Sequence, residues 1–140
     1  MPVETTPEAA EFLSRPLLAR LATATSDGQP HVVPVWFMWE DGFIWVSSFR
    51  STKKITDLEK NQKCAIVVDV EQAEKQMAAV AIEGTAELLS TPIDETRAII
   101  ERIYTKYLGA DGVLASDPQS WLASEENLLI KITPKRIKTW

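Results

Sequence analysis

The residues best suited to chemistry lie in one short segment, residues 47–54, which reads S-S-F-R-S-T-K-K. The pattern places three cations where a predicted strand ends and a short helix begins. Lysines at a helix start oppose the helix dipole, at about 0.3 to 1 kcal/mol each, unless an anion neutralises them. Free backbone N–H groups there also donate to anions. The segment could therefore hold a phosphate monoester, with donors from Ser48, Ser51, Thr52, Arg50, Lys53 and Lys54.

A solvated basic turn is the alternative interpretation, but the neighbouring sequence favours the anion site. Residues 31–39 carry apolar side chains on both faces, which predicts a strand between two layers. Pro34 cannot donate to a neighbouring strand, so we expect an edge, bulge or bend there that a ligand could approach. Trp36 and Trp39 could form an apolar slot beside Ser47, although tryptophans are more often core residues. A flat cofactor with a phosphorylated tail would fit that combination.

The counts of reactive residues exclude much other chemistry. The single His31 rules out two-histidine metal motifs, and we expect it in a polar surface or hairpin role. The single Cys64 cannot form an intrachain disulfide or a thiolate metal cage, and its neighbours predict a buried structural thiol. No glycine-rich dinucleotide or P-loop fingerprint follows a predicted strand. We therefore predict no metal site and name no catalytic side chain.

Composition predicts one soluble domain. Fifteen Lys and Arg against 20 Asp and Glu give a net charge of −5, which argues against nucleic acid or a phospholipid surface as partner. The 140 residues, 45% of them apolar, match a single domain over residues 1–140. The N-terminus does not resemble a signal peptide, and no run approaches the roughly 18 apolar residues of a membrane span. We expect a cytoplasmic protein.

Capping signals predict three helices that would position these residues. Thr6 and Pro7 are expected to start the first, which ends near residue 14. Thr52 precedes the second, which ends near residue 60. Thr91, in front of a proline, precedes the longest, whose apolar stripe continues to Gly109.

Strand signals fill most of the remaining chain. Asp-Gly pairs at positions 27–28 and 41–42 predict two hairpins. Strands are also predicted over residues 63–69 and 78–89, with the polar stretch 71–76 between them. An irregular stretch follows Gly109, and two strands around Pro134 close the chain. Antiparallel hairpins with few crossovers predict a mainly β barrel with α-helices, not a doubly wound sheet.

Several segments together resemble the pyridoxamine 5′-phosphate oxidase-like family of flavin and deazaflavin proteins. They read L-A-T-A-T-S-D-G-Q-P-H-V-V-P-V-W-F, S-T-K-K-I-T-D-L-E-K-N, I-E-G-T-A-E-L-L and P-K-R-I-K-T-W, in that order. The resemblance covers roughly residues 8–140. It implies a split β-barrel of the FMN-binding type and a homodimer with two cofactor sites at the subunit interface. FMN is the favoured cofactor, with a deazaflavin coenzyme of the F420 type as the alternative.

The resemblance also implies roles for individual residues. In this family, hydroxyl and basic side chains between the third strand and the following helix hold the phosphate, which carries over to Ser48, Thr52, Lys53 and Lys54. The backbone of the second strand meets the edge of the ring, which carries over to Val35 and Trp36, with Ser47 nearby. The C-terminal arginine and histidine motif of true pyridoxamine phosphate oxidases has no counterpart here, so vitamin B6 oxidation is not expected.

The expected function is hydride transfer between the cofactor ring and a small conjugated substrate. The alternative is a non-catalytic flavin store, electron carrier or haem-handling protein on the same barrel, and haem would need His31 as its axial ligand. A structural dimer without a cofactor is the third possibility. Because an exposed terminal indole would fray, Trp140 is expected to pack against the partner subunit or to line the rim of the site.

Overall fold

The computed structural model describes residues 3–71 and 77–140. Their helices and strands, in chain order, are α1 (Pro7–Ser14), β1 (Ala19–Ala24), β2 (Pro30–Val35), β3 (Met38–Glu40), β4 (Phe43–Phe49), α2 (Lys53–Lys60), β5 (Lys63–Asp69), β6 (Ala79–Leu89), α3 (Ile93–Gly112), α4 (Ser116–Ala123) and β7 (Asn127–Thr139). Most of the polar stretch predicted to connect β5 and β6 lies outside the described residues.

The strands form one curled antiparallel sheet in the order β2-β1-β5-β6-β7-β4-β3. A core that includes Phe12, Ile55 and Ile130 joins this sheet to α1 and α2. A second apolar cluster, which includes Trp45 and Ile103, joins α3 to β4 and β7. The predicted mainly β barrel with α-helices is confirmed.

The local turn and capping signals mostly gave the expected structures. Gly28 and Gly42 have φ of 94° and 83°, as tight Asp-Gly turns require, and each turn joins an antiparallel pair. Thr6 caps α1 by accepting a hydrogen bond from the Ala9 N–H at 3.1 Å. The cap predicted at Thr91 is wrong: α3 begins one residue later, after Pro92, and no side chain caps it.

Two predictions for the C-terminal third are also wrong. The stretch after Gly109 is not irregular, since it includes α4, whose Trp121 packs edge-on against Tyr104 at 5.8 Å. Gly109 does interrupt the long helix, with φ 82° and ψ 169°. The closing segment is one strand, β7, and not two. It continues through Pro134 because Gly84, opposite it, lies at a register shift that accommodates the missing N–H.

The apolar stretch of residues 31–39 is neither continuous nor between two layers. It is broken after Val35, so that β2 forms one edge of the sheet and β3 the other. Val32 is 62% exposed, as an outward position on an edge strand allows. The edge expected at Pro34 is confirmed. Of residues 31–39, only those of β3 lie beside β4, where Met38 pairs with Trp45.

Two side chains of α3 hold the break between β2 and β3 in place. The Lys106 Nζ donates to the carbonyl oxygens of Leu13 and Phe37, both at 3.0 Å. The Tyr107 hydroxyl accepts from the Phe37 N–H at 3.1 Å and donates to the Leu17 carbonyl at 2.8 Å. These bonds satisfy backbone groups that no neighbouring strand reaches.

We expect Gly84→Ala to lower the free energy of unfolding by about 1 to 3 kcal/mol, because overpacking in a tight core has that cost. The new Cβ would meet the backbone carbonyl oxygen of Thr133, which cannot rotate away. Urea unfolding measures the change, with the exposed neighbour Glu83→Ala as control. Equal stability of the two variants would contradict the close approach of β6 and β7.

We expect Lys106 and Tyr107 to give stability opposite pH dependences in alkaline solution. Burial lowers the pKa of Lys106 from 10.5 to about 8. Between pH 8 and 10 the unfolded chain therefore keeps the proton on Lys106 that the folded chain has lost. Folding releases this proton, so the free energy of unfolding rises with pH over this range. Burial raises the pKa of Tyr107 from 10.0 to about 12. Above pH 10 the unfolded chain therefore loses this proton before the folded chain does, and the free energy of unfolding falls as pH rises from 10 towards 12.

Unfolding curves from pH 7 to 11 test these signs. Compared with the wild type, Lys106→Met should lack the rise between pH 8 and 10. Tyr107→Phe should lack the fall above pH 10. The exposed Lys135→Met is the control, and a curve of the same shape for Lys106→Met and the wild type would show that Lys106 is not desolvated.

Candidate functional site

The corner between β4 and α2 brings two of the predicted phosphate-binding hydroxyls together. The Ser48 and Thr52 hydroxyl oxygens lie 2.8 Å apart, and Ser48 is only 8% exposed. The Thr52 hydroxyl also donates to the Phe49 carbonyl at 2.8 Å. Thr52 occupies the N-cap position without capping α2 through its side chain. Among the described residues, no side chain caps the N–H groups in the first turn of α2.

Lys53 is already neutralised within the protein. Its Nζ lies 2.5 Å from Oδ1 of Asp57, one turn along α2. The Asp57 side chain is 1% exposed, and its Oδ2 accepts from the Thr23 hydroxyl at 2.8 Å. The Lys53 hydrogen bond is the main reason that the pKa of Asp57 is lowered. A bound anion is therefore not required to neutralise Lys53, and the spacing of four residues between Lys53 and Asp57 was the signal in the sequence for this pair.

Lys54 is in a different state. It is half-buried and forms no ion pair with the residues that the structure describes. Desolvation by burial lowers its pKa. Burial therefore removes part of the Lys54 charge from water, and no described carboxylate pairs with it.

The remaining predicted site residues lie in three different surroundings. Ser47 is half-buried within β4 and pairs with Leu129 of β7. Arg50 is exposed and lines a cavity of about 250 Å³ with Arg97 and Asn127. Val35 is buried at the end of β2. The outer backbone groups of this edge strand have no neighbouring strand among the described residues.

The predicted aromatic slot of Trp36 and Trp39 is not formed. The Trp36 ring stacks on Tyr107, with centroids 4.9 Å apart and planes 6° apart, and meets Tyr104 edge-on at 6.2 Å. Trp39 instead packs against the core formed with α1 and α2. Both indoles pack within the protein, because the chain breaks between β2 and β3 and turns the two side chains into different clusters.

His31 lies beside the same corner, which the sequence did not indicate. Its Nδ1 is 4.0 Å from Oδ2 of Asp57, and the side chain is 33% exposed. Nδ1 itself is buried, with no hydrogen-bond partner among the residues that the structure describes. Residues 31 and 57 are far apart in the chain, so that only the pairing of β1 with β2 and the packing of α2 on β1 bring them together.

The other singled-out residues lie away from this corner. Cys64 is buried, and burial raises the pKa of its thiol to about 11, so the predicted structural role agrees with the structure. Trp140 is 59% exposed, although its backbone pairs with Ala79 of β6. Within residues 3–71 and 77–140, no helix is long and apolar enough to cross a membrane.

Comparison with known proteins gives one family and many similar folds. Residues 5–140 match the model of the family described as pyridoxamine 5′-phosphate oxidase. No curated protein matches the chain significantly.

Solved structures share the fold at low identity. A conserved hypothetical protein from Mycobacterium tuberculosis is 22% identical, with a TM-score of 0.79 over 99% of this chain and 86% of that one. A protein named F420 reductase is 24% identical, with a TM-score of 0.73 over 97% and 98% of the two chains. An FAD-binding protein from Mesorhizobium loti is 25% identical, with a TM-score of 0.67 over 97% and 92%. The predicted split barrel is confirmed.

Proposed function

This chain belongs to the pyridoxamine 5′-phosphate oxidase family, and we propose that it is an oxidoreductase that uses FMN to exchange hydride with a small conjugated substrate. The observation that carries the proposal is Lys54, a half-buried cation at the uncapped start of α2 that has no ion pair within residues 3–71 and 77–140. A phosphate ester would provide the missing negative charge and would accept hydrogen bonds from the first turn of the helix.

The residues of the corner fit a phosphate group. Ser48 and Thr52 present adjacent hydroxyls, which now bond each other and the Phe49 carbonyl and would rotate to donate to the phosphate, and Lys54 contributes the charge that no described carboxylate compensates. Lys53 would add a second ammonium that Asp57 already holds in place. We leave Arg50 out of this phosphate site, because its side chain lines a cavity with Arg97 and Asn127. The donors are of the types that phosphate esters bind in proteins.

The ring of the cofactor would lie along the free edge of β2. The backbone of Val35 and Trp36 would hydrogen-bond its edge, with Ser47 nearby. FMN supplies the hydride chemistry when it is bound, and the protein orients it and excludes water. Trp36 contributes backbone and not an aromatic surface in this proposal, because its ring is stacked on Tyr107.

A homodimer with the cofactors between the subunits is part of the proposal. The exposed Val32 on the edge strand and the exposed Trp140 are apolar surfaces that a second copy of the chain could cover. The small substrate would enter between the ring and the partner. A cytoplasmic location stays a prediction from the sequence.

The names of similar structures support a flavin-type cofactor without choosing one. One is named F420 reductase and another an FAD-binding protein. A deazaflavin coenzyme of the F420 type is therefore the alternative, since its ring and phosphate could use the same corner. The other alternative is a non-catalytic flavin- or haem-binding protein. Such a protein would bind the cofactor but would not turn over a substrate.

We expect the purified protein to be yellow, with flavin absorption bands that bleach on reduction, and to release FMN that mass spectrometry identifies. The bound reduced flavin should pass hydride to a quinone faster than free reduced FMN does. A Soret band would contradict the proposal and favour haem. A colourless protein that binds F420 more tightly than FMN would favour the deazaflavin coenzyme. Bound FMN that does not pass hydride faster than free reduced FMN would favour a non-catalytic flavin store.

We expect Lys54→Met to weaken FMN binding about 10- to 100-fold, the usual worth of a charge-assisted hydrogen bond to phosphate. Lys53→Met should weaken it less, because Asp57 already neutralises that ammonium. Titration of FMN fluorescence gives both affinities. Lys60→Met, at the other end of α2, is the matched control.

Thermal unfolding separates binding from folding in the same variants. Lys54→Met removes a charge that opposes the helix dipole and should leave the melting temperature nearly unchanged. Lys53→Met leaves the buried Asp57 carboxylate without its ammonium and should lower it. An unchanged FMN affinity in Lys54→Met would show that the phosphate is held elsewhere.

A further inference from the structure

The cavity that Arg50 lines with Arg97 and Asn127 lies at the start of α3, apart from the corner of α2. Its volume is about 250 Å³, and it lies between the beginning of α3, the end of α4 and the residues that precede and begin β7. The polar side chains that line it include Arg50, Thr91, Thr96, Arg97, Ser124 and Asn127. Ile93, Ile100 and Leu122 give it an apolar part. Arg50 was predicted from the sequence as a cofactor ligand but is not part of the proposed phosphate site, and none of the residues proposed for the cofactor lines this cavity.

Two guanidinium groups give the cavity a positive charge. Neither Arg50 nor Arg97 forms an ion pair with the described part of the chain. Arg97 is positioned by a hydrogen bond to the Ala123 carbonyl at the end of α4, at 3.3 Å. Glu125 lines the same cavity, and its charge balances one arginine but not both. Arginines bind carboxylates and phosphates through paired N–H groups, so the remaining charge favours an oxyanion.

Two buried polar side chains line the cavity, and one of them has no hydrogen-bond partner among the described residues. Thr96 is 5% exposed, and its hydroxyl forms no hydrogen bond with the described residues. Asn127 is 8% exposed and donates through Nδ2 to the Tyr104 hydroxyl at 2.8 Å and the Trp121 carbonyl at 3.0 Å. The Thr96 hydroxyl oxygen is not itself sealed from solvent, so it can bond water or a ligand in the cavity.

The start of α3 adds donors to the same place. No side chain caps this helix, although it is the longest in the described part of the chain. The exposed Asp94 and Glu95 of its first turn offset part of the helix dipole. The arginines and the unpaired hydroxyl therefore carry the argument, and the free N–H groups of the helix only add to it.

We infer that this cavity is a second ligand site, which takes a small molecule carrying one oxyanion group, a carboxylate or a phosphate, on a short apolar body. Arg97 and Arg50 bind the oxyanion, the Thr96 hydroxyl donates to it, and Ile93, Ile100 and Leu122 contact the apolar part. The site does not depend on the cofactor, since Arg97 and Thr96 belong to α3 and not to the corner of α2.

Titration of the full chain, followed by amide NMR, tests the site with inorganic phosphate and with butyrate at constant ionic strength. We expect saturable shifts at residues 93–97 and at Asn127 with at least one of the two anions, and the tighter one identifies the head group. Non-saturable shifts, or shifts confined to the start of α2, would overturn the inference.

Matched variants assign the binding to the cavity. Arg97→Gln should weaken the tighter anion about tenfold or more, and Thr96→Val should weaken it several-fold without unfolding the chain. Arg102→Gln removes the same charge from an exposed position on α3 that pairs with Glu40, and should leave the affinity unchanged. Equal affinity of Arg97→Gln and Arg102→Gln would overturn the inference.

Repeating the titration with saturating FMN separates the two proposals. Anion binding that FMN leaves unchanged supports a second site. Displacement of the anion by FMN would show that the cavity holds the cofactor phosphate, and would overturn it. If FMN does not bind at all but the anion does, the proposed cofactor fails while the second site stands.

Discussion

The hydrogen bonds from α3 to Phe37 are the interaction on which the arrangement of this sheet depends. Residues 36 and 37 leave β2 and enter β3, which form opposite edges of the sheet. At that point the backbone N–H and C=O have no strand partner, and leaving them unpaired in a buried position would cost free energy. Tyr107 and Lys106 satisfy them and also bind the carbonyl groups of Leu17 and Leu13. The long helix thereby fixes both edges and the connection from α1 at one place.

The corner of α2 shows how two neighbouring lysines can differ in electrostatic state. Lys53 points to Asp57, a buried carboxylate that Thr23 also binds and that His31 approaches. Lys54 is half-buried without such a partner. The two charges oppose the same helix dipole, but in the described part of the chain only Lys53 has a compensating anion. This difference is the reason for assigning the phosphate chiefly to Lys54.

Arg50 connects the two parts of the molecule in which we propose ligands. It belongs by sequence to the segment that leads into α2, but it lines the cavity at the start of α3 together with Arg97. The connection follows from the pairing of β4 with β7, which continues past Phe49 through the hydrogen bond between the Arg50 N–H and the Glu126 carbonyl at 2.8 Å. Residues from distant parts of the chain thus meet at the same end of the sheet.

The sequence by itself determined the turns, caps and helices that depend on interactions between residues close to one another in the chain. The Asp-Gly turns, the Thr6 cap and the apolar stripe that ends at Gly109 each depend on residues within a few positions of one another, and the family resemblance added the order of the barrel strands. Tertiary structure alone decided the rest. The exposure of Val32, the continuity of β7 past Pro134, the stacking of Trp36 on Tyr107 and the neutralisation of Lys53 all depend on which elements lie side by side. A one-dimensional pattern records the period of a helix or strand but not its neighbours, and burial and charge compensation are properties of those neighbours.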